Sequence, residues 1–216
     1  MAVTREARPN LSVGGSGGIK FIDGIPFEGL GSGGFNENDL LIIGDDLDND
    51  LVGGPGHDEI RGGAGNDVLK GGAGNGILRG DDGNDDLDGQ EGTEKLFGGN
   101  GDDILRAGGT IPANVAAPGV ADHDRLTGGE GNDTFGFYGV GSFEITDFTL
   151  KQDRFFFDSE VLGITSVPQL LSYITNIIPA SGGNGDIVEF VDGAATIEII
   201  GASVNDITAD MVVFTL

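Results

Sequence analysis

Gly62-Gly63-Ala64-Gly65-Asn66-Asp67-Val68-Leu69-Lys70, or GGAGNDVLK, is the stretch whose reading decides the fold. It is one copy of a nine-residue unit, Gly-Gly-x-Gly-x-Asp-x-(Leu/Ile)-x, that runs without a gap from Gly44 to Arg106 and returns from Gly119 to Gly136. The aliphatic positions Leu51, Ile60, Leu69, Leu78, Leu87, Leu96 and Leu105 are spaced by nine throughout. An amphipathic helix repeats its apolar positions near every 3.6 residues, so this period excludes one. Paired glycines would also weaken a helix by about 1 kcal/mol each. Three-residue strands joined by tight glycine turns fit instead, because glycine supplies the positive φ angles such turns need.

Side chains alternate along a strand, so a strand of three turns only its middle residue to one face. Each unit then gives one inward aliphatic, and two units make one coil of a flattened solenoid. Stacked coils bury the Leu/Ile column, and no unit is stable alone. The step from Leu105 to Leu126 equals nine plus twelve, so the insertion Ala107–Pro118 keeps the register and forms an enlarged turn. Leu126 and Phe135 are the inward residues that follow. Before Gly44 the unit GGFNENDLL is degenerate, with Asn38 in the aspartate place and Ile42 and Ile43 as two extra residues.

The turns carry the chemistry. Calcium takes six to eight oxygens and accepts backbone carbonyls beside carboxylates. A glycine turn exposes carbonyls at one edge and its aspartate adds charge. With two units per coil, turn n lies under turn n+2, so alternate units share an edge. One edge carries Asn49, Asp67, Asp85, Asp103 and Asp133, with Gly62 and Gly65, Gly80 and Gly83, and Gly98 and Gly101 as the turn glycines that go with them. The other carries Asn38, Asp58, Gly76, Glu94 and Asp124, and its departures are a missing ligand, a longer side chain and the insertion. An asymmetric roll is expected, with calcium sites at Asp67/Asp85, Asp85/Asp103 and Asp103/Asp133. A weaker site is expected at Asn49/Asp67, and partial or empty ones at Asp58 and Asp124.

Composition sets the limits. The 36 acidic and 11 basic residues leave a formal net charge of −25, which argues against nucleic acid and against insertion into an anionic membrane. Self-repulsion of that size means the compact state needs cations. There is no cysteine, hence no disulfide framework. MAVTREARPNLSV at the start lacks the apolar core of a signal peptide, which fits cytosolic residence or export by a route that ignores the N-terminus.

Residues 1–32 read as a linker or cap, with a short hairpin about Asp23-Gly24. After Gly136, the residues Phe137, Phe143, Ile145, Phe148 and Phe155–Phe157 read as longer strands closing the solenoid. Ser166–Ile178 reads as the one helix, with Ser166 as N-cap, Pro168 early, and Leu170, Leu171, Ile174, Ile177 and Ile178 as its apolar stripe. Asp186–Ile200 has hairpin character about Asp192-Gly193, and DMVVFTL ends the chain as a short strand.

Residues 44–136 resemble the calcium-binding repeats of RTX (haemolysin-type) proteins. The segment EITDFTLKQDRFFFDS, Glu144–Ser159, further resembles the region after the repeats in serralysin-type secreted metalloproteases, through Ile145, Asp147, Phe148 and Asp153. The resemblance implies an all-β, right-handed parallel β-roll over residues 33–136 and a C-terminal capping and secretion-signal region over 137–216. It also implies export from a Gram-negative bacterium by a type I system that reads an uncleaved C-terminal signal.

No His-Glu-x-x-His zinc motif and no Gly-x-Ser-x-Gly elbow is present, and His57 and His123 lie three coils apart. The chain is expected to be non-enzymatic. Two functions remain: a calcium-dependent folding and secretion module, or a surface module that holds a polysaccharide or a cell-surface protein. A basic or aromatic patch, with Tyr138, Lys95, Arg79 and Arg125 as candidates, would favour the second. A third expectation is that the chain is part of a larger secreted enzyme.

Overall fold

The computed structural model describes residues 20–21, 39–108, 123–139, 141–180, 185–190 and 195–216. The Asp23-Gly24 hairpin, the interior of the Ala107–Pro118 insertion and the Asp192-Gly193 turn lie outside the described residues.

The repeats lay down strands alternately on two facing sheets. The strands are β1 (Lys20–Phe21), β2 (Leu41–Ile43), β3 (Asp50–Pro55), β4 (Glu59–Ala64), β5 (Val68–Ala73), β6 (Ile77–Asp82), β7 (Asp86–Asp88), β8 (Lys95–Asn100), β9 (Ile104–Ala107), β10 (His123–Glu130) and β11 (Thr134–Phe137). The C-terminal part adds β12 (Gly141–Ile145), β13 (Arg154–Phe157), α1 (Ser159–Leu162), α2 (Val167–Tyr173), β14 (Ile174–Pro179), β15 (Gly185–Phe190), β16 (Ala195–Ile200) and β17 (Val212–Val213). One sheet has ten strands in the order β1-β2-β4-β6-β8-β10-β12-β16-β15-β14. The other has seven in the order β17-β13-β11-β9-β7-β5-β3. Within the repeats every pairing is parallel and joins strands two units apart, as in Leu51↔Leu69 and Leu69↔Leu87. The fold is a parallel β-roll.

Its core is the expected aliphatic column. Ile60, Leu69, Leu78, Leu87, Leu96, Leu105, Leu126 and Phe135 are fully buried, and Leu51 nearly so. Across the insertion Leu105 pairs with Phe135 and Leu96 with Leu126, so the register survives thirty residues in place of eighteen. Parallel pairing fixes it, because a slip by one residue would turn the Leu column to solvent.

Several details differ from the sequence reading. Most repeat strands are six residues long rather than three, because pairing continues through the glycines, as at Gly54↔Gly72. In the first unit Ile42, not Leu40, pairs with Ile60 and is buried. Ile42 and Ile43 are therefore ordinary strand residues, and Leu40 stands opposite Asp58, while Asn38 lies outside the described residues. The C-terminal aromatics continue the roll instead of merely covering it, since β12 adds in parallel to β10 and β13 to β11. Phe148 stacks on Phe155 with centroids 4.5 Å apart and Phe137 packs on Phe143 at 5.0 Å, so aromatic rings replace the Leu column at this end.

The helix expected over Ser166–Ile178 stops at Tyr173. Ser166 does occupy the N-cap with extended backbone, although its side chain makes no cap bond, and Pro168 lies in the first turn. From Ile174 the chain becomes β14, antiparallel to β15. The β-branched residues Ile174, Thr175, Ile177 and Ile178 lose rotamer freedom in a helix and suit a strand, which is why pairing wins. A second short helix, α1, is capped by Asp158, whose side chain accepts the N–H groups of Glu160 and Val161. The expected 186–200 hairpin is present as the antiparallel β15–β16 pair.

Candidate metal centre

The turns before β3, β5, β7, β9 and β11 stack along one edge, and their sixth residues form a ladder. Asp67 Oδ1 accepts the backbone N–H of Asn49 at 2.7 Å, Asp85 that of Asp67 at 2.7 Å, Asp103 that of Asp85 at 2.8 Å, and Asp133 that of Asp103 at 3.0 Å. Each carboxylate thus ties its own coil to the rung below through Oδ1. The fifth residues make a second, exposed ladder, in which Asp48, Asn66, Asn84 and Asp102 accept N–H groups from Asn66, Asn84, Asp102 and Asn132.

The inner ladder does not end at Asp133. Asp153 Oδ1 accepts the Asp133 N–H at 3.0 Å and Oδ2 accepts that of Thr149 at 2.7 Å. It is a sixth rung, placed by pairing of β13 with β11 through Phe135↔Phe155. The signal was in the sequence, since Asp153-Arg154-Phe155 repeats the form of Asp133-Thr134-Phe135. A spacing of twenty rather than eighteen residues hid it. Asp147 was also missed as a turn ligand. Its two oxygens accept the N–H groups of Gly128 and Gly129, both at 2.9 Å, closing the turn that holds Asp133.

The second edge is built the same way with one gap. Asp58 Oδ1 accepts the N–H of Leu40 at 2.8 Å, and Asp124 Oδ1 that of Glu94 at 2.9 Å. Asp58, Glu94 and Asp124 are all buried. Asp124 therefore does have a rung neighbour, the longer Glu94, and only Gly76 leaves a rung without a side chain. His57 and His123 sit on this edge. His57 Nδ1 accepts the N–H of Asn75 at 3.0 Å, while His123 lies beside Ser142 and Glu144.

Burial makes these carboxylates electrostatically costly. It is the largest cause that pushes Asp67 and Asp133 up to about 6 and Asp103 up to about 7. The N–H bond from the rung below opposes this, and neighbouring carboxylates add to it. Asp58 on the second edge is likewise raised to about 6 by burial, and Asp85 and Asp153 move in the same direction. Asp102, in the exposed ladder, is instead lowered by the backbone and side-chain amides of Asn132.

The donor set fits a hard cation. Oδ2 of Asp58, Asp67, Asp85 and Asp103 is buried and has no hydrogen-bond partner. Buried polar oxygens of this kind are normally satisfied. Each Oδ2 of the first edge points at the first glycine of its own unit. A Cβ placed on Gly62 would lie 2.1 Å from Asp67 Oδ2 and 2.8 Å from the Gly80 carbonyl of the next coil. At Gly80 the same point is 2.1 Å from Asp85 Oδ2 and 2.6 Å from the Gly98 carbonyl, and at Gly98 it is 2.2 Å from Asp103 Oδ2. Carboxylate and carbonyl oxygens from successive coils converge there, which is the oxygen-only chemistry calcium prefers. Among the described residues no three His, Asp or Glu side chains cluster as a metal site. A cation in these turns must therefore take most of its ligands from backbone carbonyls. Gly83 shows how closely the turns stack, for a Cβ there would fall 1.7 Å from the Gly65 carbonyl.

Residues 43–78, 71–105 and 119–135 match the family model of the RTX calcium-binding nonapeptide repeat (4 copies). No curated protein sequence matches the chain. Among solved structures it is similar to the extracellular lipase LipA from Serratia marcescens, at 18% identity and a TM-score of 0.32. That match covers 80% of this chain and 39% of the lipase, so the chain spans well under half of that protein's length. It is also similar to the AlgE6R2 subunit of the Azotobacter vinelandii mannuronan C5-epimerase, at 26% identity and a TM-score of 0.33, covering 80% of this chain and 91% of that one. For the AlgE6R3 subunit of the same enzyme the values are 20% identity, a TM-score of 0.37, and 89% and 86% coverage.

Proposed function

We propose, from the premise that this chain carries RTX calcium-binding nonapeptide repeats, that it is a non-catalytic module of an extracellular protein that folds when it binds calcium. Ions would sit along the first edge between Asp67 and Asp85, Asp85 and Asp103, and Asp103 and Asp133, with a weaker site between Asn49 and Asp67. The observation that carries this reading is the row of buried Oδ2 atoms without hydrogen-bond partners at Asp67, Asp85 and Asp103, on three successive rungs of the first edge. Inside a cell poor in calcium these carboxylates repel one another and the chain stays loose enough for export by a type I system of a Gram-negative bacterium. Outside, ligation neutralises the turns, and metal-binding energy becomes folding energy. In this reading residues 33–136 are the folding unit and 137–216 cap it and carry the export signal.

The test is circular dichroism during a calcium titration, with and without chelator. We expect a cooperative gain of β signal with calcium. Equal folding in chelator would sink the proposal.

One observation favours the second reading, a surface module for a polysaccharide or cell-surface protein. Arg61, Arg79, Lys95 and Arg125 project from the adjacent strands β4, β6, β8 and β10 on the outward side of the ten-stranded sheet. Arg79 lies 4.3 Å from the centroid of the Phe97 ring. Arg61 pairs with Glu59 at 2.5 Å and Arg125 with Glu144 at 3.5 Å, so the stripe is partly neutralised. A glycan array probed with the calcium-loaded chain separates the two readings, because a folding module alone would retain no glycan.

A further inference from the structure

In a solenoid each coil touches only the coils directly above and below it, so its stability is a chain of nearest-neighbour terms. One side chain breaks that rule. Tyr138, just past the end of β11, donates its hydroxyl to Asp88 at the end of β7, fifty residues earlier and two coils away. The same oxygen accepts the backbone N–H of Gln90. The backbone N–H of Tyr138 meets the Ala107 carbonyl of the coil between, at 3.3 Å. Tyr138 was a candidate for an exposed binding patch. It is instead half-buried, and its hydroxyl is satisfied as donor and as acceptor, as a buried tyrosine requires.

The surroundings are fitted to this reach. Gly108, in the middle coil, is buried under the ring, and a Cβ there would fall 2.5 Å from Cε2, Cζ and Oη. Bare backbone at 108 therefore lets the phenol pass. Gln90 stands where its unit should have the second glycine and keeps a positive φ of 65°, a strained conformation for a residue with a side chain. That strain aims its N–H at the phenol oxygen. The location is the decisive point. Gln90 lies in a turn of the second edge, and the next turn on that edge is the one enlarged by the insertion Ala107–Pro118. A longer loop costs more entropy to close than a regular turn, so this junction is where the stack would part first.

We propose that Tyr138 is a strap that carries cooperative folding across the insertion, tying the coils of β7, β9 and β11 so that the roll on both sides opens as one unit. The strap uses no cation and acts whenever the chain is folded, so it stands or falls apart from the calcium reading.

The experiment is hydrogen exchange on the full chain in saturating calcium, with far-UV circular dichroism to confirm that each variant is folded. In the unaltered chain we expect β5 and β7 to exchange in one cooperative unit with β11 and β13. Tyr138→Phe should speed exchange in β11 and β13 about tenfold or more relative to β5 and β7. Asp88→Ala, which removes the acceptor, and Gly108→Ala, which displaces the ring but keeps the phenol, should give the same split. A second readout needs no destabilised variant. The chain has two tyrosines, so Tyr173→Phe leaves Tyr138 as the only phenol. Burial, followed by the bond to Asp88 and its charge, pushes that phenol well above the ordinary tyrosine range. Its phenolate absorbance should appear only as the far-UV signal is lost in alkali. Titration near the ordinary value of about 10 with the fold intact overturns the proposal. So does exchange in Tyr138→Phe that matches the unaltered chain or rises equally in every coil.

Discussion

Asp103 accepts the backbone N–H of Asp85 at 2.8 Å through one carboxylate oxygen and keeps the other buried without a partner inside its own turn. The two oxygens do different work. Oδ1 ties two coils together, and Oδ2 is free for a cation. The two functions separate under mutation. Asp103→Asn keeps an oxygen able to accept the Asp85 N–H and removes the charge. The calcium midpoint should rise about tenfold, roughly 1.4 kcal/mol, in a folding titration. Asp103→Ala also strands the N–H, and should lose a further ~1–3 kcal/mol.

The missing rung on the second edge can be restored. A Cβ on Gly76 meets nothing nearer than Leu78 Cδ1 at 3.4 Å and the Asp58 carbonyl at 3.5 Å, so a side chain fits. Gly76→Asp should add one calcium equivalent by calorimetry. It should also stabilise the loaded protein by about 1–3 kcal/mol in thermal melts. An unchanged stoichiometry would show that the second edge does not bind metal by the rules of the first.

Gly80→Ala tests the cradle itself. Its methyl group would lie 2.1 Å from Asp85 Oδ2 and 2.6 Å from the Gly98 carbonyl, so one of them must move. A loss of about 1–3 kcal/mol is expected. It should be larger in calcium than in chelator at low pH, because the displaced oxygens are the ones that hold the ion. Melting curves in both conditions give the comparison.

Without calcium, stability should fall as pH rises. Asp58, Asp67 and Asp133 at about 6 and Asp103 at about 7 lie above the unfolded value of 3.8, so the folded chain binds more protons than the unfolded one between them. Their contribution is present below the unfolded value and is lost as pH passes through the folded ones. In chelator the melting temperature should therefore decline from about pH 4 to about pH 7. Calcium affinity should climb over the same window with release of protons, which calorimetry in buffers of different ionisation enthalpy measures. A flat calcium affinity would mean the buried carboxylates are not the ligands.

Asp153 should couple the cap to the roll. Asp153→Ala leaves the N–H groups of Asp133 and Thr149 without their acceptor. At about 1–3 kcal/mol for each stranded group, a loss of roughly 2–6 kcal/mol is expected. Hydrogen exchange should show it concentrated in β11 and β13. Uniform loss across all coils would contradict the role of a terminal rung.

The nine-residue spacing made the roll legible, because one inward aliphatic per unit has no other regular solution. It also named the ladder from Asn49 to Asp133. The pattern carries across the Ala107–Pro118 insertion but misplaces elements at both ends of the repeats, where the nine-residue spacing lapses. Leu40 and Ile42 were displaced by two because glycines, not pairing, set the first register. Asp153 was overlooked as a rung because twenty residues separate it from Asp133. β14 was read as helix because Leu170, Leu171, Ile174, Ile177 and Ile178 suit a helical stripe as well as a strand edge, and local pattern cannot weigh β15 as a partner.

The sequence by itself therefore determined the repeat, the buried Leu/Ile column, the sign of the charge and the carboxylates that line each edge. These follow from covalent spacing and from side-chain alternation, which act within a few residues. Only the tertiary structure decided that each aspartate divides its oxygens between a neighbouring coil and its own turn. It alone showed that the ladder runs on into the cap and that Ile174–Pro179 is a strand paired with β15 rather than the end of a helix. Those features depend on which backbones lie side by side, and stacking brings together residues eighteen, twenty or thirty positions apart.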